Sequence, residues 1–261
     1  MPTLVFRALY DYRDLLFAWT GRIVRARYQQ SILGGLWAIV QPAATVAIFT
    51  VLFTRFLRVD TGGTPYILFS YAAMVPWTLF SASITDMVES LVTNMNLVTK
   101  IYFPRDILVL AALLARLVDF AIAFSILIVL LALYQVAVNP PALLLLPALL
   151  AVQLALALGI GLIGAAVNVF YRDVKHLVAL GLQIWLYATP IIYPATLVPE
   201  HLRGVYFLNP MAGVIQGYRA VLLGGDLHAP YLVVSVVAAA LVLGFGFWFF
   251  KRMEHQFADV V

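Results

Sequence analysis

The residues with most capacity for chemistry in this 261-residue chain are arginines. Arg22, Arg25 and Arg27 stand together just ahead of the first long apolar run, and two roles suit them. Guanidinium forks match phosphate oxygens in a low-dielectric interface, which would make the cluster the place where a lipid-linked phosphate or diphosphate enters. Cationic side chains at that depth also simply orient a membrane protein. Arg116 and Asp119 fall inside an apolar run, where an unpaired charge costs about 3 kcal/mol or more. At i and i+3 they are expected to pair along one helix face. A structural pair, with Arg116 near the inner headgroups, is preferred to a translocation role.

The neutral polar and aromatic residues of the apolar runs are Gln41, Thr45, Trp77, Phe80, Gln183, Tyr187 and Tyr193. Gln41 and Thr45 share a helix face at i, i+4, as do Gln183 and Tyr187. Amides facing lipid are costly, so these stripes should point to a neighbouring helix or a water-filled path. Rings interspersed with uncharged hydrogen-bonding groups suit a channel for an amphipathic cargo such as a sugar chain. The plainer reading is the aromatic belt found at membrane interfaces.

Other chemistries fall away. Gly159-Ile160-Gly161-Leu162-Ile163-Gly164 spells a dinucleotide fingerprint, but no strand precedes it and it lies within an apolar helix. Small residues at that spacing, continued by Ala165, instead let membrane helices approach closely. Lys100, Lys175 and Lys251 follow Thr, Val and Phe, so none is a phosphate-loop lysine, and any ATP is hydrolysed on another chain. His176, His201, His228 and His255 lack metal-ligand spacing, and with no cysteine there is no thiolate chemistry; no metal site is expected. Asp86 and Glu89 resemble a catalytic carboxylate pair, yet they are placed at the end of the second span, where charges are ordinary. No catalytic residue is assigned.

The elements that must position these residues are membrane helices. The chain is 64% hydrophobic and 11% charged with a mean hydropathy of +1.00, far from a soluble composition. Apolar runs predict spans over residues 32–53, 65–85, 107–133, 142–170, 177–192 and 231–250, with Asn139-Pro140-Pro141 breaking the middle pair into a hairpin. Residues 204–218 are too short for a seventh and carry Asn209-Pro210, so they read as re-entrant or interfacial. Six spans put Arg7, Arg13, Arg22, Arg25, Arg27, Lys100, Arg105, Arg172, Lys175, Lys251 and Arg252 on one side, and only Arg55, Arg58, Arg203 and Arg219 on the other. Both termini are then cytoplasmic. Ahead of the first span, Phe6, Leu9, Tyr10, Leu16 and Phe17 oppose Arg7, Asp11 and Asp14, which predicts an amphipathic helix in the membrane surface. It is either a simple anchor or also a grip for a cytoplasmic partner. The net charge of +4 is spread over span ends, which fits anionic headgroups and no nucleic acid.

Several motifs together resemble the permease subunit of ABC-2-type polysaccharide exporters, the family that moves O-antigens, capsules and teichoic acids. They are Arg25-Ala26-Arg27-Tyr28-Gln29-Gln30-Ser31-Ile32-Leu33-Gly34 with Trp37 and Pro42, Asn96-Leu97-Val98-Thr99-Lys100-Ile101-Tyr102-Phe103-Pro104-Arg105, and Asn168-Val169-Phe170-Tyr171-Arg172-Asp173. Thr189-Pro190-Ile191-Ile192-Tyr193-Pro194 and Leu208-Asn209-Pro210 complete the likeness, which runs nearly end to end.

The resemblance implies an all-α membrane protein that is a single transmembrane domain, 1–261. It would have a cytoplasmic interfacial segment at 1–31, six transmembrane helices, a cytoplasmic coupling-helix loop at 86–106, and short extracytoplasmic gate helices within 194–229 between the fifth and sixth spans. It implies a homodimer in the bacterial inner membrane, bound to two copies of a separate ATPase that carries the ATP and Mg, with no cofactor on this chain. The cargo would be a glycan on a polyprenyl diphosphate. Asn94, Asn96, Lys100, Ile101, Tyr102, Phe103, Pro104 and Arg105 would couple to that ATPase. A permease for a small lipophilic molecule, and a membrane enzyme acting on lipid carriers, are the alternatives.

Overall fold

The computed structural model describes residues 11–29, 36–56, 61–100, 103–137 and 139–257; the side chains of Ala38, Gln41 and Thr99 are not described. The described residues form helices and no strands. In chain order these are α1 (Arg13–Gln29), α2 (Trp37–Val51, continuing as a π-helical turn through Leu52–Phe56), α3 (Tyr66–Thr93), α4 (Met95–Lys100) and α5 (Asp106–Leu133). After them come α6 (Pro140–Leu143), α7 (Leu146–Phe170), α8 (Val174–Tyr187), α9 (Glu200–Tyr206), α10 (Pro210–Leu223) and α11 (Ala229–Met253).

Four helical stretches among the described residues are long and apolar enough to cross a bilayer: Tyr66–Thr93, Asp106–Leu133, Pro140–Phe170 and Ala229–Gln256. The first differs from the rest, because 78% of its apolar stretch is buried, against 22%, 28% and 17% for the others. Helix α3 is therefore the central post, and α2, α5, α7, α8 and α10 pack around it. The outer helices turn apolar side chains such as Leu241, Val233 and Ile128 outward, as lipid-facing helices do.

Glycine sets how closely α7 approaches its neighbours. A Cβ placed on Gly159 would lie 2.6 Å from the backbone carbonyl of Val242, so α7 and α11 touch backbone to backbone there. Gly161 and Gly164 face the other way, against Met87 and Val88 of α3. The run expected to serve helix packing thus does so on two faces. Gln153 and Asn168 tie α7 to α3 as well, donating to the carbonyls of Pro76 (2.8 Å) and Val88 (2.9 Å).

Several boundaries differ from the sequence reading. The second span was expected to end at Thr85, but α3 runs to Thr93 and carries Asp86 and Glu89 within it. Asp86 is tolerated because cations reach it from other elements. The fifth is expected to run to residue 192, but α8 stops at Tyr187, since Pro190 has no N–H for the helical ladder and disfavours helical backbone at Thr189. Residues 194–229, where short helices are expected, hold α9 and α10; Arg219, counted as a loop charge, is instead 5% exposed within α10. Of the N-terminal amphipathic pattern, Asp14, Leu16 and Phe17 lie in α1 and Asp11 just ahead of it; Phe6, Arg7, Leu9 and Tyr10 lie outside the described residues.

Candidate functional site

Helices α2, α3, α5 and α8, with the end of α1, enclose a groove of about 770 Å³. Four residues expected to line a channel meet there: Thr45 of α2, Trp77 of α3, and Gln183 and Tyr187 of α8. The i, i+4 spacing places Gln183 and Tyr187 together on the groove side of α8. Three hydroxyls that sequence reasoning overlooked line the same wall: Thr78, Ser81 and Thr85 recur at helical spacing along α3. Ser81 and Thr85 also donate to carbonyls one turn back, at 3.4 and 3.0 Å, which lets them sit in a membrane helix without a further acceptor. Their signal is a polar stripe, Thr78, Ser81 and Thr85, at helical spacing inside an uncharged run.

Phe80 and Tyr193 do not join the groove. Phe80 is fully buried and packs edge-on to Trp185, with ring centroids 5.3 Å apart. Tyr193 sits beyond α8, donating to the Tyr187 carbonyl (2.9 Å) and bonding the Tyr206 hydroxyl of α9 (2.8 Å). The Gln41 side chain lies outside the described residues.

Four ionised residues meet on one wall. Arg116 forks onto Asp86, with Nε to Oδ2 at 2.7 Å and Nη2 to Oδ1 at 2.8 Å, and reaches Asp119 Oδ2 at 3.0 Å. Arg27, arriving from α1, contacts Asp119 Oδ2 at 2.6 Å and Asp86 Oδ2 at 2.7 Å. The Tyr28 hydroxyl donates to the remaining oxygen of Asp119. All four carboxylate oxygens accept, and two cations balance two anions, which is what makes such a cluster tolerable away from water. Burial, reinforced by the hydrogen bond to Asp119, pushes the Tyr28 hydroxyl up to about 12, so it stays a neutral donor. The expected Arg116–Asp119 pair is present; Asp86 and Arg27 complete it.

The three arginines read as one cluster are consequently divided. Arg22 lies over the Trp19 ring at 4.5 Å, Arg25 donates to the Gly21 carbonyl at 3.2 Å, and only Arg27 reaches the groove.

The segment expected to couple to a partner follows α3. Asn94 caps α3 by donating to the Ser90 carbonyl (2.8 Å), and Asn96 and Lys100 are exposed on α4. Ile101 and Tyr102 lie outside the described residues, while Phe103 and Pro104 are half-buried. Arg105 is clamped to the far end of the chain: its backbone N–H donates to Glu254 Oε1 (3.1 Å) and its guanidinium to the Glu254 carbonyl. Lys251 bridges the same two segments, 3.1 Å from Asp106 and 2.9 Å from Glu254.

At the opposite end of α3, Arg219 pins α10 in place. Its guanidinium stacks on Phe69 at 3.5 Å and donates to three backbone carbonyls, of Phe69 (3.1 Å), Pro190 and Ile191 (2.6 Å). Asn209 caps α10 by accepting from the Met211 N–H (3.1 Å), ahead of Pro210 in the first turn. Its amide holds the end of α8 through Ala188 (3.1 Å) and Thr189 (2.9 Å), and its oxygen accepts from Trp185 (2.8 Å). The Thr189-Pro190 and Asn209-Pro210 motifs, distant in sequence, are two sides of one joint.

Residues 14–223 match the family model described as ABC-2 type transporter. The chain is 30% identical, over 98% of either sequence, to an O-antigen export system permease protein RfbA of Myxococcus xanthus. It is 27% identical to the protein of that name from Klebsiella pneumoniae over 95% of each. It is also 24% identical to the polysialic acid transport protein KpsM of Escherichia coli, over 78% of this chain and 79% of that one.

Proposed function

From the premise that the chain belongs to the ABC-2 type transporter family, we propose that it is the membrane-spanning permease of an ATP-driven exporter. Its cargo is a polysaccharide carried on a polyprenyl diphosphate, moved from the cytoplasm across the inner membrane. The observation that carries this reading is the near full-length match to permeases named for O-antigen export. The chemistry of the groove supports it. Trp77 and Tyr187 offer ring faces, while Thr45, Thr78, Ser81 and Gln183 offer neutral hydrogen-bonding groups. Such a wall makes many weak contacts with sugar hydroxyls and C–H faces and so favours sliding over retention.

In this reading the six spans are α3, α5, α7 and α11 with the shorter helices α2 and α8, both termini are cytoplasmic, and two copies of the chain bind two copies of a separate ATPase that holds the ATP and Mg. An exposed apolar stripe on α8, Leu177, Leu180 and Ile184, suits contact with lipid or with the second copy. Residues 94–105 receive the movement of the ATPase. The Arg105–Glu254 clamp hands that movement to α11, and α5 carries it from Asp106 toward the groove. Arg27 meets the diphosphate at the inner face, with Arg22 and Arg25 drawing it in from the lipid surface. Residues 194–229 gate the outer mouth.

A strain lacking the gene tests this directly. Loss of surface polysaccharide with accumulation of polymer inside the cell, both restored by the gene in trans, is expected. Normal surface polysaccharide together with loss of export of a small lipophilic compound would replace this reading with that of a small-molecule permease.

A further inference from the structure

The ion cluster on the groove wall has a feature that simple helix packing does not require. Arg27 and Arg116, from an N-terminal helix and from α5, direct their N–H groups at the same two oxygens, Asp86 Oδ2 and Asp119 Oδ2. Two guanidiniums converging on shared acceptor oxygens is the arrangement that binds a phosphoryl group. Here carboxylates fill that place. The side chains are 16% to 26% exposed rather than sealed, and Arg27, Tyr28, Arg116 and Asp119 all line the groove, so a competing anion can reach them.

We propose that Arg27 and Arg116 are a phosphate-binding pair held in reserve by Asp86 and Asp119, and that phosphoryl oxygens of the lipid-linked cargo displace these carboxylates. The inference rests on the export reading for the cargo's identity, and on the geometry alone for its chemistry. A diphosphate presents more acceptor oxygens and more charge than either carboxylate, so it can satisfy both forks together. With Asp86 and Asp119 in place the wall is neutral, and it does not attract stray anions. Because Arg27 belongs to α1, the exchange also alters what ties α1 to α3 and α5. Binding of the head group is thereby coupled to the helix that borders the groove.

The test is titration of the purified full-length chain, in nanodiscs of phosphatidylcholine, with geranylgeranyl diphosphate, followed by calorimetry. Asp119→Asn removes one competitor and is expected to tighten binding roughly ten-fold, equivalent to ~1.4 kcal/mol. Adding Arg116→Gln to that variant should abolish the gain. Adding Arg27→Gln, which lies outside the spans, should do the same and decides the matter if the first double variant does not fold. Unchanged or weaker binding by Asp119→Asn, or a gain that survives loss of either arginine, overturns the proposal. Geranylgeraniol, which has no phosphate, should not bind the site; equal binding overturns it too. Nanodiscs containing phosphatidylglycerol separate the sources: full competition by that lipid would make the site a general headgroup site and overturn its assignment to cargo. If the binding pattern holds while a strain lacking the gene keeps its surface polysaccharide, the export reading fails and the phosphate pair stands.

Discussion

Alanine at Gly159 should separate helices that alanine at Gly244 leaves alone. Both glycines lie within long apolar helices, so each substitution brings the same gain in helix propensity, up to about 1 kcal/mol. Their surroundings differ. A Cβ on Gly159 falls 2.6 Å from the Val242 carbonyl and 2.7 Å from the Leu243 nitrogen, whereas nothing lies within 4 Å of one on Gly244. Ordinary heavy-atom contact is about 3.5–4.0 Å, so α7 and α11 must part by roughly 1 Å. The obstacle is backbone and cannot rotate away, and overpacking of this kind typically costs about 1–3 kcal/mol. Because propensity cancels between the two variants, the difference isolates the clash, about 2 kcal/mol at mid-range. That corresponds to a gap in thermal midpoint of about 4–8 °C for a chain of this size, with G159A below G244A. Thermal unfolding of the detergent-purified variants, followed by tryptophan fluorescence, measures it. Equal midpoints, or G159A the more stable, would refute backbone contact between the two helices.

Three further outcomes follow from named contacts. Gln153→Leu removes a hydrogen bond to the Pro76 carbonyl but also a buried amide oxygen without a partner among the described residues, so the thermal midpoint should move by no more than the equivalent of about 1 kcal/mol; a collapse of the fold contradicts this. Arg219→Lys keeps the charge but cannot reach three separate carbonyls with one nitrogen, and hydrogen exchange should quicken across residues 188–194; unchanged protection there contradicts the pinning role. Glu254→Ala removes the carboxylate that accepts from the Arg105 backbone N–H and leaves Lys251 with Asp106 alone, while the Arg105 guanidinium keeps the backbone carbonyl at 254; cargo moved per ATP hydrolysed should fall several-fold at normal protein levels, and an unaltered ratio would remove the clamp from the coupling path.

Much of this architecture was legible because burial in lipid demands it. Long apolar runs located α3, α5, α7 and α11, and a helical period of polar residues singled out Thr45, Gln183 and Tyr187, which the folded chain brings to one groove. Charge was read less well. A carboxylate in an apolar sequence suggests a span end, but Asp86 stays inside α3 because Arg27 and Arg116, 59 and 30 residues distant, neutralise it. Arg219, counted as a loop cation, is buried; its partners are backbone carbonyls, which every residue supplies and no pattern reveals. The same holds for Arg105 and Glu254, separated by 149 residues. What local sequence cannot show is which distant group completes an ion's shell, and here those groups define the site.

The decisive measurement is reconstitution of the chain with its companion ATPase in proteoliposomes holding a diphosphate-linked glycan on one face. ATP-dependent transfer of the glycan to the other face, scored by its exposure to an added glycosidase and absent with a hydrolysis-dead ATPase, is the expected result. Glycan transfer by this chain alone without ATP, or sustained ATP hydrolysis by the assembled complex with no glycan crossing, would contradict an exporter's permease.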